Sequence, residues 1–257
     1  MGTYALVTGA SAGIGKELAR LFAKDGHGLV LVARREPELR KLADELEAAF
    51  KVPTRVHACD LSKPEARSGL VEATKDLEVE FLVNNAGFGS NGKFWENDAA
   101  REVEMIDLNV TALTHLTRHY LPGMVSRGRG HVLNIGSTAG FQPGPYMATY
   151  YATKAYVNSL TEALAYELRG TGVTATVSCP GPVSTDFAGI AGNDKTPLFK
   201  GKVVASAEWV AKEAYTAMLK GKPVAVHGTK YKVGAVLAGL GPRGMILSVT
   251  AKLNRPA

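Results

Sequence analysis

Residues 4–17 read YALVTGASAGIGKE. A short strand-forming run enters a turn holding Gly9, Gly13 and Gly15, and a helix-forming stretch follows. Glycine lets a backbone turn sharply and come close to a ligand. Free N–H groups and the positive end of the helix then favour an anion. Two kinds of phosphate loop compete for this stretch. The nucleoside triphosphatase loop needs G-x-x-x-x-G-K-[ST]. Gly15-Lys16 supplies its Gly-Lys pair, but Ala10 stands where the first glycine belongs. Glu17 stands where a magnesium-binding hydroxyl is required, so the lysine would face its own carboxylate neighbour. That reading is excluded. The observed G-x-x-x-G-x-G spacing also differs from the G-x-G-x-x-G dinucleotide fingerprint. A glycine turn alone also serves as a plain strand–helix connection, so the rest of the chain must decide.

Outward from this turn, apolar runs alternate with helical patterns. Strands are expected at YALVT (4–8), GLVLVA (28–33), TRVHA (54–58), EFLVNN (80–85), HVLNIG (131–136), VTATVSC (173–179) and PVAVHG (223–228). Most lack strict polar alternation, as strands covered on both faces do. Helices are expected over roughly 13–25, 36–50, 63–76, 98–126, 149–169 and 206–220. Within 36–50, Leu39, Leu42, Leu46 and Phe50 share one face. Strand–helix alternation throughout implies an α/β protein with a doubly wound parallel sheet and right-handed crossovers. Nothing marks a second domain, so residues 1–257 are expected to form one.

The second strand ends in Ala33, Arg34 and Arg35. A dinucleotide fold commonly places an acid there to bond the ribose 2′-hydroxyl. Two cations beside a helix start oppose its dipole, whereas a 2′-phosphate would give them charge-assisted bonds. The expected cofactor is NADP(H), with NAD(H) as the alternative.

Composition narrows the class. The chain has 257 residues, 46% hydrophobic and 21% charged, an ordinary globular balance. Net charge is +6, and its only dense cluster is RGRGH at 127–131. Without aromatic interleaving or a recognition motif, no nucleic-acid partner is expected. The two cysteines, Cys59 and Cys179, end apolar runs and read as core residues in a reducing compartment. No signal-peptide pattern opens the chain, and no apolar run is long enough to span a bilayer. The expected location is cytoplasmic. The nearest candidate span, 233–249, is broken by Gly-Pro-Arg-Gly. It reads as a buried or dimer-forming tail, with peripheral lipid contact left open.

Further motifs follow in order: NNAG (84–87), NIGS (134–137), YYATK (150–154) and PGPVST (180–185). With the first loop, they resemble the short-chain dehydrogenase/reductase family, in its TGxxxGxG/YxxxK branch, over essentially the whole chain. The sequence is also similar to the bacterial DltE-like oxidoreductase subgroup, which fixes no substrate. The resemblance implies a single-domain Rossmann fold with seven strands and helices on both faces. It further implies a homodimer or homotetramer paired through long helices. Gly9, Ser11, Gly13, Ile14 and Gly15 would hold the cofactor pyrophosphate, with Arg34 and Arg35 at the 2′-phosphate. Asp60 and Leu61 would meet the adenine, and Asn85, Ala86 and Gly87 the adenosine ribose. Pro180, Gly181, Val183 and Thr185 would hold the nicotinamide end. Asn109, Ser137, Tyr150 and Lys154 would be catalytic, with Tyr150 and Lys154 also touching cofactor. Many relatives carry serine where this chain has Gly136, but Ser137 keeps the catalytic place.

These residue types suit carbonyl reduction or alcohol oxidation. Reducing a ketone needs a hydride on carbon and a proton on oxygen, and a nicotinamide supplies the hydride. A free phenol titrates near about 10, and a nearby cation favours its phenolate. Residues four apart share a helix face, so Tyr150 and Lys154 are expected to point together, with Tyr151 packing elsewhere. Ser137 would fix the substrate oxygen, and Asn109 would support a water relay to the lysine. The segment at about 186–205 is expected to be a substrate lid. Phe141, Met147, Phe187 and Phe199, with Leu198, are candidates for an apolar pocket, hence a hydrophobic carbonyl or alcohol. Phe94 and Trp95 either cap that pocket or pack. His115 and His119 have helical metal spacing but no evident third ligand, so no metal is expected. The alternative function is a non-catalytic NADP(H)-binding sensor or scaffold.

Overall fold

Strand β1 (Tyr4–Thr8) shows why the strands lack polar alternation. Ala5 and Val7 enter one hydrophobic cluster, and Leu6 enters another. Successive strand side chains point to opposite faces, so a strand with helices on both sides has no solvent face. The computed structural model describes residues 2–194, 196–197 and 204–256. After β1 come α1 (Gly13–Lys24), β2 (Gly28–Ala33), α2 (Glu36–Phe50), β3 (Thr54–Ala58), α3 (Pro64–Ala73) and β4 (Val79–Asn84). Then follow α4 (Ala99–Ile106), a π-helical segment (Asp107–Ala112) and α5 (Leu113–Arg127). Next are β5 (Gly130–Ile135), a 3-10 turn (Thr138–Phe141), α6 (Ala148–Glu167) and β6 (Val173–Cys179). The chain continues through β7 (Val183–Ser184), α7 (Phe187–Ala191), β8 (Ala205–Ser206), α8 (Ala207–Leu219) and β9 (Val224–Val226). It ends in α9 (Thr229–Leu240) and α10 (Arg243–Asn254).

Seven strands pair in parallel in the order β3-β2-β1-β4-β5-β6-β9. Strands β7 and β8 form a separate two-residue ladder. One face is covered by α1, α2 and α8, which bring Leu18, Phe22, Leu39, Leu46 and Met218 to the sheet. The other is covered by α3 and α5, through Leu70, Leu116, Tyr120 and Met124. Strand order reverses between β1 and β4, and ligands of open parallel sheets bind outside the strand ends at such a switch. The turn after β1 lies there.

Two departures from the sequence expectation concern helices. The helix expected over 98–126 contains a wider turn at 107–112, a local geometry that often marks functional positions. The C-terminal apolar segment is not buried. It forms α9 and α10, joined at Gly241-Pro242, and most of its large apolar side chains are exposed. Among the described residues, no helix is long and apolar enough to cross a membrane. Both cysteines are free, and burial pushes the Cys59 thiol up to about 11 and the Cys179 thiol up to about 12.

Gly15 packs α1 tightly against the turn after β1 and the loop after β4. A Cβ there would lie 2.4 Å from both the Gly9 carbonyl oxygen and Asn85 Nδ2. The backbone atom has little freedom to yield. Gly15→Ala is expected to destabilise the fold by about 1–3 kcal/mol, read as a lower urea midpoint at unchanged slope. An unchanged midpoint would show that α1 can shift away freely.

Candidate active site

The turn after β1 is fastened to β4 by one hydroxyl. Thr8 Oγ1 donates to the Val83 carbonyl at 3.1 Å and accepts from the N–H groups of Asn85 at 2.9 Å and Ala86 at 3.0 Å. Asn85 Nδ2 returns bonds to the carbonyls of Thr8 at 2.8 Å and Gly9 at 3.2 Å. Gly9 sits at φ +68°, and a Cβ there would come within 2.6 Å of Asn85 Nδ2. Gly13 sits at φ +55°, where a Cβ would lie 3.1 Å from Thr185 Cγ2. Ala12 gives α1 no side-chain cap, so its first N–H groups stay available to an anion. This backbone cradle, which side chains would fill, fits a pyrophosphate.

From the cradle a cavity of about 710 Å³ runs past Asp60 and Asn85 to Ser137, Tyr150 and Lys154, and on to Phe187 and Tyr231. Gly9, Ser11, Gly13, Ile14, Arg34, Arg35, Asp60 and Leu61 line it, as do Asn85, Ala86 and Gly87. So do Pro180, Gly181, Val183 and Thr185. Gly15 does not; it is buried beneath the turn and serves packing. Arg35 reaches across the cradle to Ser11 Oγ, with Nη2 at 3.3 Å, and its Nη2 lies 3.8 Å from Asp186. Arg34 lies 3.5 Å from Glu104 and is largely exposed.

The other end is built by α6 against the end of β5. Lys154 Nζ donates to the Ile135 carbonyl at 2.7 Å. Asn158 Nδ2, one turn further along α6, donates to the Ser137 carbonyl at 3.1 Å. A Cβ at Gly136 would lie 2.2 Å from Asn158 Oδ1, so this packing calls for glycine there. Ser137 Oγ accepts from the Ala139 N–H at 3.0 Å and faces the cavity. Tyr150 is half-buried, with Lys154 Nζ 5.8 Å from its ring centre and Phe187 packed 5.2 Å away. Tyr151, expected to pack elsewhere, also borders the cavity, but its hydroxyl turns away and donates to Asn254 Oδ1 at 3.3 Å.

Burial raises the Tyr150 phenol above its ordinary value, opposed by a hydrogen bond with Ser137. The lysine does not depress it as expected, because its amine is held on the Ile135 carbonyl. In this state the Tyr150 phenol keeps its proton. Burial lowers Lys154 to about 8, with Cys179 acting the other way.

Asn109 stands behind the cavity rather than on its wall. Its Nδ2 donates to the Phe88 carbonyl at 2.9 Å and to Thr153 Oγ1 at 3.1 Å, while Oδ1 accepts from the Phe88 N–H at 3.1 Å. The π-helical turn carries it inward to join the β4 loop to α6. Met147 and Phe187 line the cavity. Phe141 does not; the 3-10 turn directs it to a cluster with Leu113, Val157 and Cys179. Phe199 and Leu198 lie outside the described residues. Phe94 and Trp95 neither cap the cavity nor pack, being 63% and 78% exposed. His115 and His119 share a shallow groove with Arg118 and Tyr156. Among the described residues, no group of three metal-capable side chains occurs.

Sequence reasoning missed the contribution of α9. Lys230, Tyr231, Gly234 and Ala235 line the cavity, and the Tyr231 ring lies on Gly181, where a Cβ would be 2.4 Å from its Cζ. Nothing local in the sequence couples positions fifty apart. Ile190 and Asn193 were also missed.

The profile of the short chain dehydrogenase family matches residues 3–195. The chain is 39% identical over 177 residues to a very-long-chain 3-oxoacyl-CoA reductase of Laccaria bicolor, covering 67% of this chain and 52% of that protein. It thus spans about half the length of that relative. A solved short-chain dehydrogenase from Sphingobium yanoikuyae in complex with NADPH is similar, with TM-score 0.84 and 32% identity over 91% of this chain and 92% of that one. A 7beta-hydroxysteroid dehydrogenase structure gives TM-score 0.88 and 28% identity, covering 97% of each chain.

The lysine carries a stability cost whose sign can be tested. At pH 7 Lys154 is protonated in both folded and unfolded chains, so the folded state bears the full penalty of a buried cation. Between pH 8 and its ordinary 10.5 the unfolded chain keeps a proton that the folded chain has released, so stability rises with pH. Lys154→Met is therefore expected to exceed wild type in stability at pH 7 by on the order of 2–3 kcal/mol. The gap should close above the ordinary lysine value. Equal urea midpoints at pH 7 would mean that the ammonium is already compensated.

Proposed function

This chain belongs to the short-chain dehydrogenase family, and from that we propose that it is an NADP(H)-dependent oxidoreductase interconverting a hydrophobic ketone and its secondary alcohol. The observation that carries this reading is convergence: Ser137, Tyr150 and Lys154 share one cavity with the glycine cradle. When bound, the nicotinamide cofactor supplies hydride for reduction or accepts it in oxidation. Tyr150 Oη gives its proton to the carbonyl oxygen, and the Lys154 ammonium stabilises the phenolate left behind. Ser137 Oγ holds the same substrate oxygen in place. Asn109 positions the Phe88 backbone against α6, and so sets the floor under Gly87 and Lys154. Gly9, Ser11, Gly13 and Ile14 would hold the pyrophosphate, Asp60 and Leu61 the adenine, and Asn85, Ala86 and Gly87 the ribose. Pro180, Gly181, Val183 and Thr185 would hold the nicotinamide end.

The NADP(H) preference rests on Arg34 and Arg35 following Ala33, with the Arg35 guanidinium already held beside Ser11. The NADPH in the Sphingobium structure is consistent with it. Apolar Met147, Phe187 and Ile190 beside Tyr150 support a hydrophobic substrate. The names of the relatives point the same way, toward acyl and steroid carbonyls. We assign the segment at about 186–205, whose described part includes α7, as the substrate lid. The outer face of α5 and α6 is the proposed homodimer surface, in keeping with the family.

A panel of bulky and small ketones with NADPH or NADH, followed by nicotinamide absorbance, tests the reading. Turnover of bulky ketones with NADPH is expected; cofactor binding without turnover of any carbonyl or alcohol would identify a non-catalytic sensor instead. Tyr150→Phe should lower kcat/KM by ~100- to 10,000-fold while leaving the NADPH Kd unchanged. Because a charge-assisted bond is worth about 1.5–3 kcal/mol, Arg35→Asp or Arg34→Asp should shift preference toward NADH by ~10- to 100-fold. Comparable kcat/KM for both cofactors in wild type would discard the preference. The active ammonium exists below the Lys154 value of about 8 and is lost above it. The kcat/KM for NADPH should accordingly fall as pH rises through that region, and a flat profile from pH 7 to 9 would count against this role.

A further inference from the structure

Charge is distributed unevenly along the chain. Residues 214–257 contain seven lysines and arginines and no aspartate or glutamate, whereas the whole chain carries a net +6. The remainder is therefore close to neutral, and the excess charge belongs to the segment holding α9 and α10. Lys230, Lys232, Arg243, Lys252 and Arg255 are all exposed. Among the described residues, none of the five forms an ion pair.

The same hairpin carries an apolar ridge. Val233, Val236, Leu237 and Leu240 recur at i, i+3, i+4 and i+7, so they form one stripe along α9. They are 54%, 61%, 61% and 80% exposed. On α10, Met245 and Val249 stand one turn apart, 64% and 53% exposed, followed by Lys252. Other side chains of α9 face inward, where Ala235 lines the cavity and Ala238 is buried. Among the described residues nothing covers this stripe, and an exposed apolar stripe of this kind marks an interaction surface.

The charge decides what fits that stripe. A twofold contact between two copies sets the same patch against itself, and here that would bring two clusters of cations together without an acid between them. An anionic phospholipid surface has both complementary features. Its acyl boundary accepts the ridge, and its headgroups attract the surrounding cations. We propose that α9 and α10 dock this protein on an anionic phospholipid bilayer, lying in the interface rather than crossing it. Because α9 also lines the cavity, its mouth and the docked surface share one element. The proposal concerns binding alone and stands whether or not the cavity performs the chemistry assigned above.

Flotation of the full chain with vesicles tests it. One preparation is phosphatidylcholine alone, and the other is phosphatidylcholine with one-third phosphatidylglycerol. Wild type is expected to float with the anionic vesicles only, and to be released as salt rises. The double variant Leu237→Glu/Leu240→Glu should lose binding by ~10-fold or more, with an unchanged circular dichroism melt. Lys232→Glu/Lys252→Glu should lose binding to anionic vesicles while its melt also stays unchanged. Equal flotation with both vesicles, or with neither, would overturn the proposal. So would a wild-type dimer that Leu237→Glu/Leu240→Glu converts to monomer without vesicle binding, which would assign the ridge to a second copy.

Discussion

A single threonine hydroxyl holds the ligand-binding edge of this sheet together. Thr8 Oγ1 spends its proton on β4 and its lone pairs on the two N–H groups that follow β4. At a switch point the two connections must part in opposite directions, leaving backbone groups that neighbouring strands cannot satisfy. One residue that both donates and accepts meets that requirement in very little space. With the ends of β1 and β4 tied, the glycine turn is fixed relative to Asn85 and Gly87. The cavity then has a fixed wall from the glycine turn to Gly87.

Helix α6 acts as a ruler at the opposite end. Tyr150, Lys154 and Asn158 stand on successive turns, and two of them bond carbonyls of the β5 connection. The helix thereby registers its reactive side chains against Ser137. Among the described residues, the cation it buries has no acidic partner and donates to the Ile135 carbonyl. Such an ammonium is poorly placed for stability and well placed to meet a phenolate or ribose hydroxyls. Asn109 performs a related task from the third side, joining the loop after β4 to α6 through bonds made entirely within the protein.

The strands and most helices were legible because their signal is local. Leu39, Leu42 and Leu46 share a face whatever surrounds them, and a doubly covered strand reads as continuous apolar residues. The glycine turn and the Tyr150–Lys154 spacing were legible for the same reason, since both depend on backbone geometry over a few residues. Features set by distant packing were not. Phe141 reads as a pocket residue until the 3-10 turn directs it behind α6. The inserted π-helical residue leaves no mark on the periodicity around Asn109. The Gly-Pro-Arg-Gly break at 241–244 marks the end of an apolar run but not its place, which the Tyr231 contact with Gly181 sets by seating α9 over the cavity. The exposure of its apolar residues depends on what packs nearby, which periodicity cannot supply.

The two-residue ladder between β7 and β8 has an evolutionary consequence. It pairs Val183–Ser184 with Ala205–Ser206, so the chain between them can lengthen or diversify while its anchors stay fixed. Closing a longer loop between fixed ends adds only a slowly growing entropy cost. Insertions there can therefore accumulate while Tyr150 and the glycine turn stay undisturbed. Descendants of one scaffold can differ along this segment while conserving the geometry around it.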